Sequence, residues 1–155
     1  MTKVFLFDWG DTLMIDFPDA HGKMCYWETV KAVDGAEEML KALSEYCAIY
    51  IATNAQDSNE LEIEQAFKRA GLTAYLRGYF CQSSFGLTKE SPEYYLAIAD
   101  HLDTSPEDIT MVGNSYDTDI QPALRAGLNC IWFNPNHHPE PLENAVEQIA
   151  HLSEL

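Results

Sequence analysis

Short apolar runs alternate with amphipathic stretches along this whole chain, and several of the runs stop at a polar residue. Val4-Phe5-Leu6-Phe7 ends at Asp8 and reads as a buried strand. Ala36 to Tyr46 reads as a helix with Met39, Leu40 and Leu43 on one face, and Cys47 to Ala52 as a second buried strand ending at Thr53-Asn54. Ser58 is placed to cap a helix in which Ile63, Ala66, Phe67 and Ala70 share a face, with Gly71 ending it. Tyr79 to Ser83 reads as a third strand, and Ser91-Pro92 opens the next helix. Ile109 to Val112 reads as a fourth strand ending at Gly113, Tyr116 to Ala126 as a helix, Cys130 to Phe133 as a fifth strand, and Leu142 to His151 as a closing helix. Such alternation predicts an α/β, three-layer domain built on a mainly parallel, five-stranded sheet. No repeat, low-complexity tract or linker interrupts it, so residues 1–155 are expected to form a single domain.

Composition narrows the function classes. The chain is 46% hydrophobic, enough apolar side chain to order a full core. Its 25 acids against 9 bases give a formal charge of −16, which should repel nucleic-acid phosphates and anionic membranes. No apolar run approaches the roughly 20 residues that span a bilayer, and the opening MTKVFLFDWGD lacks the pattern of a secretory signal. Cys25, Cys47, Cys81 and Cys130 form no C-x-x-C pair and read as reduced thiols of a cytoplasmic protein. His137-His138 sits in a Pro/Asn-rich stretch and reads as a solvated loop rather than a metal site.

In open parallel sheets, ligands bind at the carboxyl ends of the strands. Asp8, Thr53-Asn54 and the run Gly113 to Asp119 fall there, and Lys89 lies between the third strand and the following helix. A carboxylate, a hydroxyl, an ammonium and an acidic or amide cluster at one sheet edge suit a magnesium-assisted phosphate site. These residues also resemble, in order, the motifs of the haloacid dehalogenase-like (HAD) superfamily of hydrolases. Phe5 to Leu13 is similar to the D-x-D-x-T motif, Ile49 to Asn54 to the strand ending in Thr or Ser, Lys89 to Tyr95 to the lysine motif, and Met111 to Ile120 to V-G-D-S-x-x-x-D-I.

The resemblance implies a Rossmann-like core in which Asp8 is the catalytic nucleophile, forming an aspartyl-phosphate. Thr53 and the Asn54 backbone would bind the phosphoryl oxygens of the substrate, and Lys89 would neutralise both Asp8 and the phosphate. Magnesium would sit on Asp8, the Gly10 carbonyl, Asn114 and Asp119. The substrate would be a phosphorylated small molecule or a larger phospho-substrate, with no role for nucleic acid or membrane.

Two departures and one absence qualify that reading. Gly10 stands where the family's phosphatases usually carry the general acid/base aspartate, a group typically worth about 10²–10⁴ in rate. The adjacent Asp11 should point differently, and reads as a turn residue binding nearby backbone amides. Asn114 stands where aspartate is usual, removing one charge from the metal site, with Asp117 or Asp119 left to compensate. No cap domain fits between Thr12 and Asp34 or between Asn54 and Lys89, so the site should be open, covered at most by the loop Met14 to Glu28. Capless relatives take bulky substrates or borrow a neighbouring subunit as lid, here a homodimer partner. Phe17, Tyr26 and Trp27 in that loop read as anchors for its packing. Two alternatives to a phosphatase follow: a metal-independent, dehalogenase-like hydrolase, or a non-catalytic phospho-ligand binding or regulatory protein.

Overall fold

The computed structural model describes residues 3–139 and 146–155. Five apolar segments form strands close to their expected places: β1 (Lys3–Phe7), β2 (Cys47–Ala52), β3 (Gly78–Phe80), β4 (Ile109–Gly113) and β5 (Asn129–Phe133). A sixth, β6 (Glu147–Ile149), completes a sheet of order β3-β2-β1-β4-β5-β6. Every neighbouring pair is parallel. Helices α1 (Ala36–Ser44), α2 (Glu60–Arg69), α3 (Gln82–Phe85), α4 (Pro92–His101) and α5 (Gln121–Arg125) lie between the strands.

Side-chain alternation along the strands divides the core between the two sheet faces. Val4 and Leu6 of β1 join Ala48, Ala52, Ile109 and Met111 under α4 and α5. Phe7, one residue on, joins Ile49, Ile51 and Val112 against α1 and α2. The near-continuous apolar composition of these strands is what a parallel sheet covered on both faces requires.

Four expectations are corrected. The helix expected from Leu142 to His151 is not formed: residues 147–149 are strand β6, paired Ile131↔Glu147 to Phe133↔Ile149, while residues 142–145 lie outside the described residues. The open edge of β5 offers unpaired backbone groups, and pairing with them outweighs the weak helical preference of Glu147-Gln148-Ile149. The sheet therefore has six strands rather than five. The third strand stops at Phe80 rather than Ser83, because Cys81 turns the chain into α3, where the Phe85 amide donates to the Cys81 carbonyl. The cap of α2 is Asn59, whose side chain accepts from the Glu62 amide while Glu62 accepts from the Asn59 amide; the Ser58 hydroxyl donates instead to Asp57.

No inserted domain interrupts the described segments between β1 and α1 or between β2 and α4. The loop after β1 is pinned down. The Arg69 guanidinium donates to the carbonyls of Cys25, Trp27 and Glu28, and the Trp27 indole donates to the Gly22 carbonyl at 2.9 Å. Phe17 and Trp27 pack as a tilted pair with ring centroids 6.4 Å apart and planes at 58°, whereas Tyr26 is exposed rather than an anchor. His137 and His138 lie in an exposed loop, and no disulfide joins the cysteines among the described residues. Among the described residues no helix is long and apolar enough to cross a membrane.

The chain's last turn is tied to the start of α1. His151 reaches Asp34 through Nε2 at 2.8 Å and Ser153 through Nδ1 at 2.7 Å. Gly35 makes this possible, since its φ is +82° and a Cβ there would sit 2.7 Å from His151 Cε1. Gly35→Ala should lower stability by roughly 1–3 kcal/mol in urea denaturation, from left-handed strain plus displacement of His151. Gly71→Ala, at φ +76° with open space around it, should cost only the strain, about 1 kcal/mol. Equal losses would refute the packing argument.

Candidate active site

The sheet order reverses direction around β1, and the carboxyl ends of β1, β2 and β4 open onto one crevice. Asp8 follows β1 directly and its amide donates to the Val112 carbonyl at 3.0 Å, locking the end of β1 to β4. Lys89 is delivered from the loop before α4, and its Nζ lies 2.8 Å from Asp8 Oδ1 and 2.6 Å from Asp119 Oδ1. Both Lys89 and Asp119 are only 1% exposed. One ammonium therefore holds two carboxylates, one of them fully buried.

That geometry decides the protonation of the lysine. Burial opposes its charge, but the carboxylates of Asp119 and Asp8 outweigh it, so the Lys89 pKa stands well above its ordinary value. For Asp119, burial and then the charge of Asp8 raise the pKa, against the pull of Lys89 and the Ser115 amide.

Four further contacts set the lysine and its acids in place. The Asn54 side-chain carbonyl accepts from the Lys89 amide at 2.7 Å, tying the end of β2 to the lysine loop. Below it, the buried Tyr94 and Tyr95 hydroxyls donate to the carbonyls of Phe80 and Thr118. The expected helix from Tyr116 to Ala126 begins as a π-helical turn, Tyr116–Ile120, before α5. This wider turn directs Asp119 back toward β4, where its Oδ2 accepts from the Ser115 amide at 3.0 Å. Gly113 is required by that approach, because a Cβ there would lie 2.3 Å from Asp119 Oδ2.

The oxygens around Asp8 outnumber the protons available to them. The Thr12 hydroxyl lies 3.2 Å from Asp8 Oδ2 and 3.3 Å from Asn114 Oδ1, yet it has a single proton to donate. One of the two oxygens is always left to another partner. The bridge between Gly10 and Met14 uses the Trp9 carbonyl and the Asp11 amide, so it does not consume the Gly10 carbonyl. Asn114 is itself oriented by the Trp132 indole, which donates to its carbonyl at 3.0 Å. An all-oxygen set with two carboxylates, Asp8 and Asp119, fits magnesium, which commonly uses one or two carboxylates and keeps waters. No cluster of three or more Asp, Glu, His or Cys side chains suited to a metal occurs among the described residues.

All the residues expected at the site come to this crevice, although Thr53 and Asn54 do so differently from one another. Thr53 Oγ1 accepts from the Ala55 amide at 3.1 Å, which leaves its hydroxyl proton to donate elsewhere. The side chain of Asn54 is spent on Lys89 and on Glu90, so only its backbone is available to a ligand. Asp11 adopts φ +60° and its Oδ1 accepts from the Asp16 amide at 3.0 Å. It is a turn residue, as expected.

Sequence reasoning missed Asp16. A Cβ built on Gly10 would lie 3.5 Å from Asp16 Cβ and 3.7 Å from its Oδ2. Partial cover, then the charges of Asp11 and Asp8, hold the Asp16 pKa above the ordinary carboxylate value. No spacing rule points to it, since the turn at Asp11 alone brings residue 16 back beside residue 10. A cavity of about 350 Å³ is lined by Trp9, Gly10, Asp16, Trp27, Thr53 and Asp57. Larger space, about 580 Å³, lies in an apolar groove between α1 and the last turn, away from all of these groups.

Comparison with known proteins places the chain in a family. Residues 10–127 match the model of the haloacid dehalogenase-like hydrolases, and the chain belongs to that family. It is 29% identical over 119 residues to the pyrimidine 5′-nucleotidase PynA of Streptococcus pneumoniae, covering 76% of this chain and 47% of that protein. It is 28% identical over 137 residues to the ribulose-1,5-bisphosphate 5-phosphatase of Halopiger xanaduensis, covering 88% of this chain and 55% of that protein. The chain thus spans about half the length of these relatives. The crystal structure of the HAD-hydrolase YfnB from Bacillus subtilis, bound to magnesium, has the same fold, with a TM-score of 0.81 at 17% identity over 99% of this chain and 96% of that one.

The ion cluster predicts a specific stability pattern. Lys89→Met leaves Asp119 buried beside Asp8 with no cation, and should cost about 3–5 kcal/mol in urea unfolding. Adding Asp119→Asn removes the stranded charge and should recover part of that loss. An additive double mutant would refute the coupling.

Proposed function

We propose that this chain is a magnesium-dependent phosphatase that hydrolyses phosphate monoesters or acyl phosphates through an aspartyl-phosphate on Asp8. The observation that carries this reading is the 2.8 Å contact between Asp8 Oδ1 and the buried Lys89 ammonium at the end of β1. Lys89 orients the Asp8 carboxylate for attack, and its positive charge also attracts the phosphate in a strongly acidic molecule. The Thr53 hydroxyl, free to donate, and the Asn54 backbone amide bind phosphoryl oxygens. Attack by Asp8 on phosphorus displaces the leaving group, and water then hydrolyses the acyl phosphate.

Asp8, the Gly10 carbonyl, Asn114 and Asp119 would hold the magnesium, which would neutralise phosphate charge and orient the phosphoryl group. With Lys89 at +1 against Asp8 and Asp119 at −2, the cluster carries a net −1, a charge a cation offsets. The named phosphatase and nucleotidase relatives support phosphate esters as the substrate class. The acidic balance favours a phosphorylated small molecule or phospho-protein over a polynucleotide.

A panel of nucleoside monophosphates, sugar phosphates, acetyl phosphate and p-nitrophenyl phosphate tests the reading. Turnover should require magnesium, stop with a chelator, and fall by at least about 10³-fold in Asp8→Asn. Turnover surviving in Asp8→Asn excludes the nucleophile, metal-free release of halide from a haloacid favours the dehalogenase reading, and phosphate binding without turnover favours a binding protein. Separately, Asn114→Asp should tighten magnesium binding in calorimetric titration, because a carboxylate replaces an amide in the donor set.

A further inference from the structure

A phosphatase acting on alkyl phosphate esters has to protonate its leaving group, and Gly10 has no side chain to do it. The backbone does not demand glycine at this position, for Gly10 is outside the left-handed region and a Cβ would make only ordinary contacts. What those contacts touch is Asp16: its Cβ at 3.5 Å, Oδ2 at 3.7 Å and Cγ at 3.8 Å. The space that a side chain of residue 10 would enter is bordered by a carboxylate from six residues further along the chain.

Asp16 is held there by the backbone on both sides. Asp11 turns the chain at φ +60°, and its carboxylate accepts from the Asp16 amide. Met14 bridges Gly10 on one side and Ala32 on the other, and the Ile15 amide donates to the Lys31 carbonyl at 2.8 Å. The Asp16 side chain remains exposed, so it can exchange protons with water. It lines the same cavity as Gly10, Thr53 and Trp9, and the buried Trp9 Nε1 donor has no hydrogen-bond partner among the described residues. The other carboxylate of that cavity, Asp57, already accepts from the Ser58 hydroxyl.

We propose that Asp16 is the general acid/base of this site, supplying from the neighbouring loop the carboxyl group that position 10 lacks. The inference rests on the phosphatase reading above. As Asp8 forms its bond to phosphorus and the phosphorus–oxygen bond to the leaving group breaks, the Asp16 carboxyl gives its proton to the departing alkoxide, which leaves as an alcohol. Asp16, now a carboxylate, takes a proton from water as the water oxygen attacks phosphorus. The Asp8–phosphorus bond breaks, Asp8 is regenerated, and inorganic phosphate leaves.

The test exploits leaving groups that do and do not need a proton. The probes are p-nitrophenyl phosphate and the alkyl phosphate turned over fastest in the panel, both with magnesium. In Asp16→Asn, kcat/KM for the alkyl ester should fall about 10²-fold or more, while kcat/KM for the aryl ester stays within about threefold. The aryl kcat should nevertheless drop and a burst of p-nitrophenolate appear, because hydrolysis of the aspartyl-phosphate still needs the base. Gly10→Asp combined with Asp16→Asn should restore alkyl turnover. The retained aryl kcat/KM doubles as the control for folding. Equal losses on both esters, or no loss on either, would overturn the assignment of Asp16 and leave the phosphatase reading standing. So would a wild-type protein that cleaves aryl but no alkyl esters. Absence of all phosphatase turnover in the wild type overturns both.

Discussion

A single buried ammonium holds the site together. Lys89 is the meeting point of two carboxylates that the sheet brings within hydrogen-bond reach from opposite sides, Asp8 from β1 and Asp119 from the π-turn after β4. Without it, two negative charges would share a largely dry cleft, an arrangement proteins avoid by protonating one of them. The surrounding structure serves this contact. Asn54 clamps the lysine backbone to the end of β2, Tyr94 and Tyr95 fasten α4 beneath it, and Gly113 clears room for Asp119. The result is a cleft in which two carboxylates share one buried ammonium.

The loop after β1 decides the rest of the chemistry. It is short and carries no inserted domain in the described residues, but it is not slack: Arg69 of α2 donates to three of its carbonyls, and Phe17 packs on Trp27. A pinned loop can place a reactive group with the precision catalysis needs. Asp11 and Asp16 show the consequence. Asp11, the residue that proximity in sequence favours, spends its carboxylate on the turn, and that same turn sets Asp16 beside Gly10.

Much of the fold was legible because parallel strands buried on both faces read as plain apolar runs, and because Ser91-Pro92 and Gly113 mark boundaries by local chemistry. The misreadings share a cause. Glu147 to Ile149 has no strong local preference, and it became a strand only because β5 had an open edge. The turn at Tyr116 to Ile120 looked like ordinary helix, because whether a turn is α or π is settled by where Asp119 has to reach. Ser58 and Asn59 are both good caps, and the choice of Asn59 came from its reciprocal pairing with Glu62.

The sequence by itself determined the class of fold, the family motifs, and the identity and order of Asp8, Thr53, Lys89, Asn114 and Asp119, since each sits at a strand end or loop whose position periodicity defines. It also determined the vacancy at Gly10, which is a matter of covalent structure. Only the tertiary structure decided that Lys89 is buried between two acids, that Asn54 positions the lysine with its side chain, and that Asp16 borders the vacant place. Those are contacts between segments distant along the chain or folded back through a turn. Their distances depend on how the loops close over the sheet, which no local pattern of residues encodes.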